Sequence, residues 1–144
     1  VILYDKHKKI IGVVHSGWRG TAKKILTQTL KVFFNTFSSK PENILMGIGP
    51  SIGPDNYEVG KEVAEEFKIA FGIAHEQFIT KKSKEKFFLN LWEANQLQAE
   101  AMGIPKNNIE QSFLDTYRDQ ELFFSARKQG IQCGRCATGI MLKE

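Results

Sequence analysis

The hydrophobic positions of this chain fall into short runs and one-sided repeats, which predict alternating strands and helices. Residues 1–4 and 10–15 are apolar runs separated by a polar turn, a pattern typical of a β-hairpin. Residues 44–46 form a short apolar run ahead of several glycines and prolines, which predicts a buried strand. Residues 109–114 and 137–142 are predicted to be two later strands.

Three segments have the three- and four-residue spacing of an amphipathic helix. The predicted helices run from Thr21 to Phe37, from a capping box at Asp55 and Glu58 to Phe71, and from Asn90 to Gly103. Strands alternating with helices favour an α/β or α+β layered fold, with a mixed β-sheet packed against about three helices. The length of 144 residues suits a single domain, 1–144.

Composition narrows the classes of protein. A content of 42% hydrophobic and 25% charged residues excludes a disordered chain. No apolar run approaches the ~20 residues that cross a bilayer, and no secretion signal is present, so we expect a cytoplasmic protein with no membrane partner. The formal net charge of +4 suits an anionic ligand but is modest for a nucleic-acid-binding protein.

The cysteines and the first residues add two observations. Cys133 and Cys136 form a single C-x-x-C, which lacks the second ligand pair of a structural zinc site and cannot make a disulfide framework. The chain begins at Val1 without methionine, inside an apolar run. We therefore expect a fragment of a larger single domain whose N-terminal part is missing.

Residues 13–21 carry the most chemical information, because they predict a strand, a glycine-bounded turn and the start of a helix. Free backbone N–H groups at a helix start attract anions, and Arg19 adds a bidentate cation. We expect Arg19, Gly20 and Thr21 to bind an anionic substrate. The spacing alone leaves three roles open for His15: a metal ligand, a general base, or a core histidine that is hydrogen-bonded to the backbone.

Two long motifs and several short ones occur in an order that a known family shares. The long motifs are His-Ser-Gly-Trp-Arg-Gly-Thr at 15–21 and Ile-Gly-Pro-Ser-Ile-Gly-Pro-x-x-Tyr-Glu-Val-Gly at 48–60. The short ones are Leu-Trp-Glu-Ala-Asn at 91–95, Thr-Tyr at 116–117, Glu-Leu-Phe-Phe-Ser at 121–125 and Gly-Arg at 134–135. Over nearly its whole length the chain resembles the laccase-domain, or multicopper polyphenol oxidase, family.

The resemblance implies that the intact protein is an enzyme, a zinc-associated purine nucleoside phosphorylase with adenosine deaminase activity. In this family two histidines and a cysteine hold zinc, and His15 matches one of them. The other two ligands belong to segments that would precede Val1. The resemblance thus implies that His15 is a zinc ligand or an acid–base group, and that Arg19 and Thr21 stabilise phosphate. For these 144 residues alone we expect weak activity and little bound zinc.

Four positions depart from the family pattern. Asp55 and Asn56 stand where relatives often have two cysteines, Asn90 where an aspartate is usual, and Asp115 where a cysteine is common. The pair at 55–56 varies in the family, so only Asn90 and Asp115 count against a cysteine-based or redox role for this part of the protein. Cys133 and Cys136 flank the family's Gly-Arg pair and match no known ligand position.

Two other functions remain as alternatives. A copper-dependent polyphenol oxidase needs several His and Cys ligands, whereas this chain has three separated histidines and one C-x-x-C. A non-catalytic module for RNA or another anion would use the net charge and the lysine-rich residues 81–86, but no stacking motif accompanies them. We also expect residues 1–4 to be an exposed edge strand that promotes assembly into a homo-oligomer.

Overall fold

The computed structural model describes residues 1–143, which cluster into two compact units. The first unit contains Val1–Gly49, Asn95–Ser112 and the segment from Thr138, and the second contains Pro50–Ala94 and Phe113–Ala137. Each unit has its own β-sheet and helical segments, which confirms the predicted mixed α/β class. That the whole chain belongs to one larger domain stays a prediction.

Seven strands and five α-helices lie in the described residues. The strands are β1 (Ile2–Asp5), β2 (Ile10–Val13), β3 (Ile44–Ile48), β4 (Glu58–Val59), β5 (Ile79–Lys81), β6 (Phe87–Leu89) and β7 (Ile109–Gln111). The helices are α1 (Trp18–Ala22), α2 (Ile25–Phe37), α3 (Lys61–Phe71), α4 (Leu91–Ala101) and α5 (Ala126–Gln129). None of these helices is long and apolar enough to cross a membrane.

The sheet of the first unit has the strand order β2-β1-β3-β7. Strand β1 is antiparallel to both of its neighbours, and β7 runs parallel to β3. The predicted hairpin is confirmed, since Ile2 pairs with Val13 and Asp5 with Ile10. The prediction of an exposed edge at residues 1–4 is wrong, because β3 covers the side of β1 that β2 leaves open. The edge strands of this sheet are β2 and β7.

Asp5 closes the turn of the hairpin. Its side chain is 0% exposed, and Oδ1 accepts hydrogen bonds of 2.9 Å from the backbone N–H groups of His7 and Lys8. Burial by itself raises the pKa of Asp5, but the Ser39 hydroxyl and the N–H groups of Lys8 and His7 favour the charged form and hold the pKa below its ordinary value. The turn is therefore built around an ionised carboxylate.

Helices α1 and α2 occupy the segment predicted as one helix from Thr21. The start at Thr21 is wrong, because α1 begins at Trp18 and the left-handed backbone of Lys24, with φ of 56°, separates it from α2. The inward face predicted for α2 is confirmed, since Leu26, Leu30 and Phe33 are buried. A Cβ atom on Gly12 of strand β2 would lie 3.0 Å from the Phe33 ring, so glycine permits this close packing.

The second unit contains the sheet β4-β6-β5, helix α3 and the short helix α5. The capping box predicted at Asp55 and Glu58 is wrong, because Glu58 belongs to β4 and α3 begins only at Lys61, after Gly60. The buried face of α3 is nevertheless confirmed, with Phe67 fully buried. Most of the lysine-rich segment, residues 82–86, forms the connection between β5 and β6.

Helix α4 confirms the third predicted helix. Asn90 caps it, because its Oδ1 accepts the backbone N–H of Glu93 at 3.1 Å. The helical segment ends before Gly103, whose φ of +86° suits glycine. The strand predicted at 109–114 is shortened to β7, and the strand predicted at 137–142 is wrong. The latter segment pairs with no described strand, and Met141 is 79% exposed.

Candidate functional site

The candidate site is the turn that joins β2 to α1. It presents His15 and Arg19, whose side chains are both exposed. No hydrogen bond from the described residues engages the imidazole, so the interpretation of His15 as a buried core histidine is wrong. The ring folds back over Gly17, where an added Cβ would lie 3.0 Å from Nε2. The turn therefore offers a free imidazole to a ligand.

A group of buried polar side chains supports this turn from below. The Thr21 hydroxyl lies 3.0 Å from the carbonyl oxygens of Ser16 and Gly17 and 3.0 Å from Ser16 Oγ. Ser16 Oγ in turn donates a 2.6 Å hydrogen bond to Oδ1 of Asn95, a residue of α4 that is only 2% exposed. We call Ser16, Thr21 and Asn95 the turn brace.

The turn brace determines what Thr21 offers to a ligand. The Thr21 N–H donates a hydrogen bond to Gly17 O at 2.8 Å, and the Thr21 carbonyl oxygen accepts one from Gln98 Nε2 at 3.3 Å. Its hydroxyl is already hydrogen-bonded within the turn brace. Thr21 is also 0% exposed. Its predicted contact with an anion assumed a helix that starts at this residue, and that assumption is wrong. Direct binding by Thr21 stays a prediction, whereas its support of the turn is directly visible.

Arg19 and Gly20 complete the turn. The Arg19 guanidinium carbon lies 4.4 Å from the centre of the Trp18 ring, a cation–π contact that orients the side chain. No ion pair within the described residues neutralises this guanidinium. A Cβ on Gly20 would approach Ile25 to 3.1 Å, so a larger residue would crowd the start of α2. A free imidazole and an unpaired cation thus lie four residues apart on one supported turn.

The described residues do not by themselves fit a zinc site. They contain no group of three or more His, Cys, Asp or Glu side chains arranged to hold a metal ion. Protein zinc sites need at least three such ligands. His15, exposed and without a hydrogen-bond partner among these residues, is suited to supply one ligand.

In the second unit, the motif at 48–60 is held together by Ser51 and Asp115. Ser51 Oγ accepts a 2.7 Å hydrogen bond from the Trp92 indole, and the backbones of Ser51 and Asp115 form a parallel bridge. The Asp115 carboxylate, 3% exposed, accepts from Asn56 Nδ2 at 2.6 Å and from the Tyr117 N–H at 2.8 Å. These contacts place a buried carboxylate at the centre of the motif.

Two of the departures from the family pattern therefore lie in contact. Burial raises the pKa of Asp115, but hydrogen bonds from the Gly53 N–H, the Asn56 amide and the Tyr117 N–H outweigh it and lower the pKa below its ordinary value. Asn56 and Asp115 thus form one charge-assisted pair. Another of the four departures, Asn90, has the helix-capping function that aspartate also has.

Two cavities of about 380 and 310 Å³ also lie in the second unit. The first is lined mainly by charged side chains, among them Lys61, Lys68, Lys81 and Glu65, and Asn90 lines the second. Neither cavity includes a predicted site residue. Sequence reasoning also missed Ser16 and Asn95 as site residues, although both belong to the quoted motifs. Their contact, across 79 positions, carries no local signal.

The folds of the two units, the supported turn and the motif at 48–60 define the class of this protein. The family model described as multi-copper polyphenol oxidoreductase laccase matches residues 1–143. The chain belongs to this family, which confirms the resemblance deduced from the motifs.

Individual relatives are similar over almost the whole chain. A protein of Bacteroides thetaiotaomicron named purine nucleoside phosphorylase is 40% identical over 143 residues, covering 99% of this chain and 53% of the relative. Adenosine deaminase RL5, from an unknown prokaryotic organism, is 34% identical and covers 99% of this chain and 54% of the relative. The chain spans about half the length of the curated relatives it matches.

Solved structures agree with the fold. The crystal structure of the hypothetical protein YfiH of Bacillus licheniformis has a TM-score of 0.85 at 30% identity and covers 90% of this chain and 49% of that protein. The structure of YlmD from Geobacillus stearothermophilus has a TM-score of 0.84 at 31% identity, with 88% and 47% covered.

Proposed function

We propose that the protein containing this chain is a purine nucleoside phosphorylase that cleaves adenosine or inosine with phosphate and also deaminates adenosine. The observation that carries the proposal is the 40% identity to a relative named purine nucleoside phosphorylase, over 99% of this chain. The free imidazole and unpaired guanidinium on one turn support it, since phosphorolysis needs an anion-binding group and a group that handles protons.

In phosphorolysis a phosphate oxygen bonds to C1′ of the ribose, and the bond from C1′ to the purine nitrogen breaks. The Arg19 guanidinium suits the phosphate, because its N–H fork matches two phosphate oxygens. Its stacking on Trp18 reduces the side-chain freedom lost on binding. We assign Arg19 as the phosphate-binding residue.

His15 has two roles compatible with its position. As an acid–base group it would deliver a proton to the departing purine, and in deamination it would assist the attack of water on the adenine ring. As a metal ligand it would provide one bond to a zinc ion whose other ligands lie outside this chain. Gly20 leaves the turn open beside Arg19, and Thr21 and Asn95 act as positioning residues through Ser16.

The test uses the full-length protein and chromatographic detection of nucleosides and free bases, with and without phosphate. We expect base release from adenosine or inosine that requires phosphate, and conversion of adenosine to inosine that does not. The Arg19→Gln variant should raise the KM for phosphate more than that for nucleoside, whereas Arg118→Gln removes an exposed arginine elsewhere and should change neither. His15→Ala should abolish both reactions. No turnover under either condition would refute the proposal.

A further inference from the structure

The C-x-x-C pair has no part in the proposed reaction. Cys133 and Cys136 are both free thiols, the first half-buried and the second exposed. Cysteines that serve only to fill space lie in the core, so packing does not account for an exposed one. No third metal-ligating side chain joins them within the described residues. The pair therefore calls for chemistry that two thiols perform alone.

A fixed positive charge lies beside one of the sulfurs. Arg135 Nη1 donates to Cys133 O at 2.6 Å and lies 3.3 Å from Cys133 Sγ, while Nη2 donates to Ile131 O at 3.0 Å. Backbone oxygens thus hold the guanidinium next to the thiol. The Arg135 Nη1 group is thus placed to donate a hydrogen bond to the Cys133 sulfur, the atom that would attack or leave in thiol–disulfide exchange.

The backbone between the two thiols packs against the Phe124 ring at Gly134 and donates no hydrogen bond to a backbone oxygen among the described residues. A Cβ on Gly134 would lie 2.7 Å from the Phe124 ring, so only glycine allows this contact. Residues 134–137 have no regular secondary structure, and none of their N–H groups donates to a backbone oxygen within the described residues. A disulfide requires Cα atoms about 4.4–6.8 Å apart, and reaching that separation breaks no backbone hydrogen bond donated by residues 134–137 within the described part of the chain.

We propose that Cys133 and Cys136 form a thiol–disulfide exchange site whose substrates are low-molecular-mass disulfides. The Cys136 thiolate, the more exposed, attacks a sulfur of the substrate, forms a mixed disulfide and releases one thiol. The Cys133 thiolate then attacks the Cys136 sulfur, forms the Cys133–Cys136 bond and expels the second thiol. The protein dithiol loses two electrons, the substrate disulfide gains them, and the two thiol protons pass to the released thiols.

The test treats the 144-residue chain with glutathione disulfide, stops the reaction with acid and follows protein mass. We expect the final product to lose two hydrogens and carry no glutathione, with a single adduct appearing only transiently. The Cys133→Ser variant should accumulate one glutathione on Cys136, because the second attack is no longer available. Cys136→Ser should react more slowly than Cys133→Ser, since its remaining thiol is half-buried.

The role of Arg135 is tested by the rate at which the transient adduct disappears. Arg135→Gln should slow this step by roughly three- to tenfold. Arg118→Gln, which removes an arginine from another part of the second unit, is the matched control and should leave it unchanged. A final product with stable glutathione adducts, or one in which both thiols remain reduced, would overturn the proposal. The assay contains no nucleoside, so its outcome is independent of the proposed function.

Discussion

The contacts of the turn brace predict how removal of the Thr21 hydroxyl changes the stability of the chain. The Thr21→Val substitution keeps the shape of the side chain and removes only its hydroxyl, which lies within 3.0 Å of two carbonyl oxygens and of Ser16 Oγ. One hydroxyl donates a single hydrogen bond, and the Thr21 hydroxyl also accepts one from Asn95 Nδ2 at 3.5 Å. Each net hydrogen bond contributes about 0.5–1.5 kcal/mol, and a buried group left without its partner costs more. We expect a loss of about 2 kcal/mol in the free energy of unfolding.

Urea or thermal unfolding of the 144-residue chain measures this loss, and for a chain of this size it corresponds to a fall in Tm of roughly 4–8 °C. The matched control is Thr29→Val, because the Thr29 hydroxyl also donates to a backbone oxygen, that of Ile25, but on the exposed side of α2. We expect the control to change stability by no more than about 0.5 kcal/mol. Equal stability of the two variants would refute the reasoning.

A double-mutant cycle measures the interaction between the Thr21 and Ser16 hydroxyls separately from the effect of removing either hydroxyl alone. Thr21→Val and Ser16→Ala, made singly and together, should be non-additive by about 1 kcal/mol, because the two hydroxyls are 3.0 Å apart. If the full-length protein has the proposed phosphorylase activity, Thr21→Val should also reduce its turnover without altering nucleoside binding in the absence of phosphate. Additive effects on stability would show that the two hydroxyls do not interact.

Three further predictions concern the buried groups. The pKa of Asp5 is lower in the folded chain than its ordinary value of 3.8. The charged carboxylate therefore stabilises the fold fully above pH 3.8, and this stabilisation is lost as the pH falls through the lowered pKa. The free energy of unfolding of Asp5→Asn should consequently depend less on pH in the acid range than that of the unchanged chain. Gly53→Ala places a Cβ about 2.5 Å from Asp115 Oδ2 and should lower the free energy of unfolding in urea by roughly 1–3 kcal/mol. Gly49→Ala is the control, because a Cβ on Gly49 would meet no neighbouring atom within 4 Å. Phe67→Ala should cost about 3–5 kcal/mol, and a loss below 1 kcal/mol would contradict the burial of this ring.

Local patterns predicted the parts of the fold that depend on neighbouring residues. The hairpin and the buried face of α2 follow from spacings of two to four positions, which the sequence displays directly. Strand β4 has only two residues and pairs with β6, so that Glu58 lies opposite Phe88, thirty positions later in the chain. Such pairing leaves no periodic signal, so a capping box was inferred there instead. The apolar residues 137–142 resemble a strand in composition but pair with no strand among the described residues.

The residues of the candidate site that lie in one short motif were predicted from the sequence, and the contacts that depend on the fold were not. His15 and Arg19 were predicted because they lie within one short motif, and their exposure agrees with a ligand-binding role. The support of their turn by Asn95 was not predicted, because it depends on how helix α4 packs. The structure also reassigns Thr21 from the start of a helix to the interior of one. Residue chemistry was thus visible in the sequence, whereas the partners of each residue required the fold.

The parallel pairing of β3 with β7 has a consequence for the protein while it is being made. Strands β1, β2 and β3 lie close together in the chain and can pair soon after they leave the ribosome. Three strands and two α-helices must still be synthesised before β7 emerges. Throughout that interval one side of β3 has no partner strand, and such an edge pairs readily with other chains. Nascent chains that stall before Ile109 should therefore be the ones most in need of a chaperone.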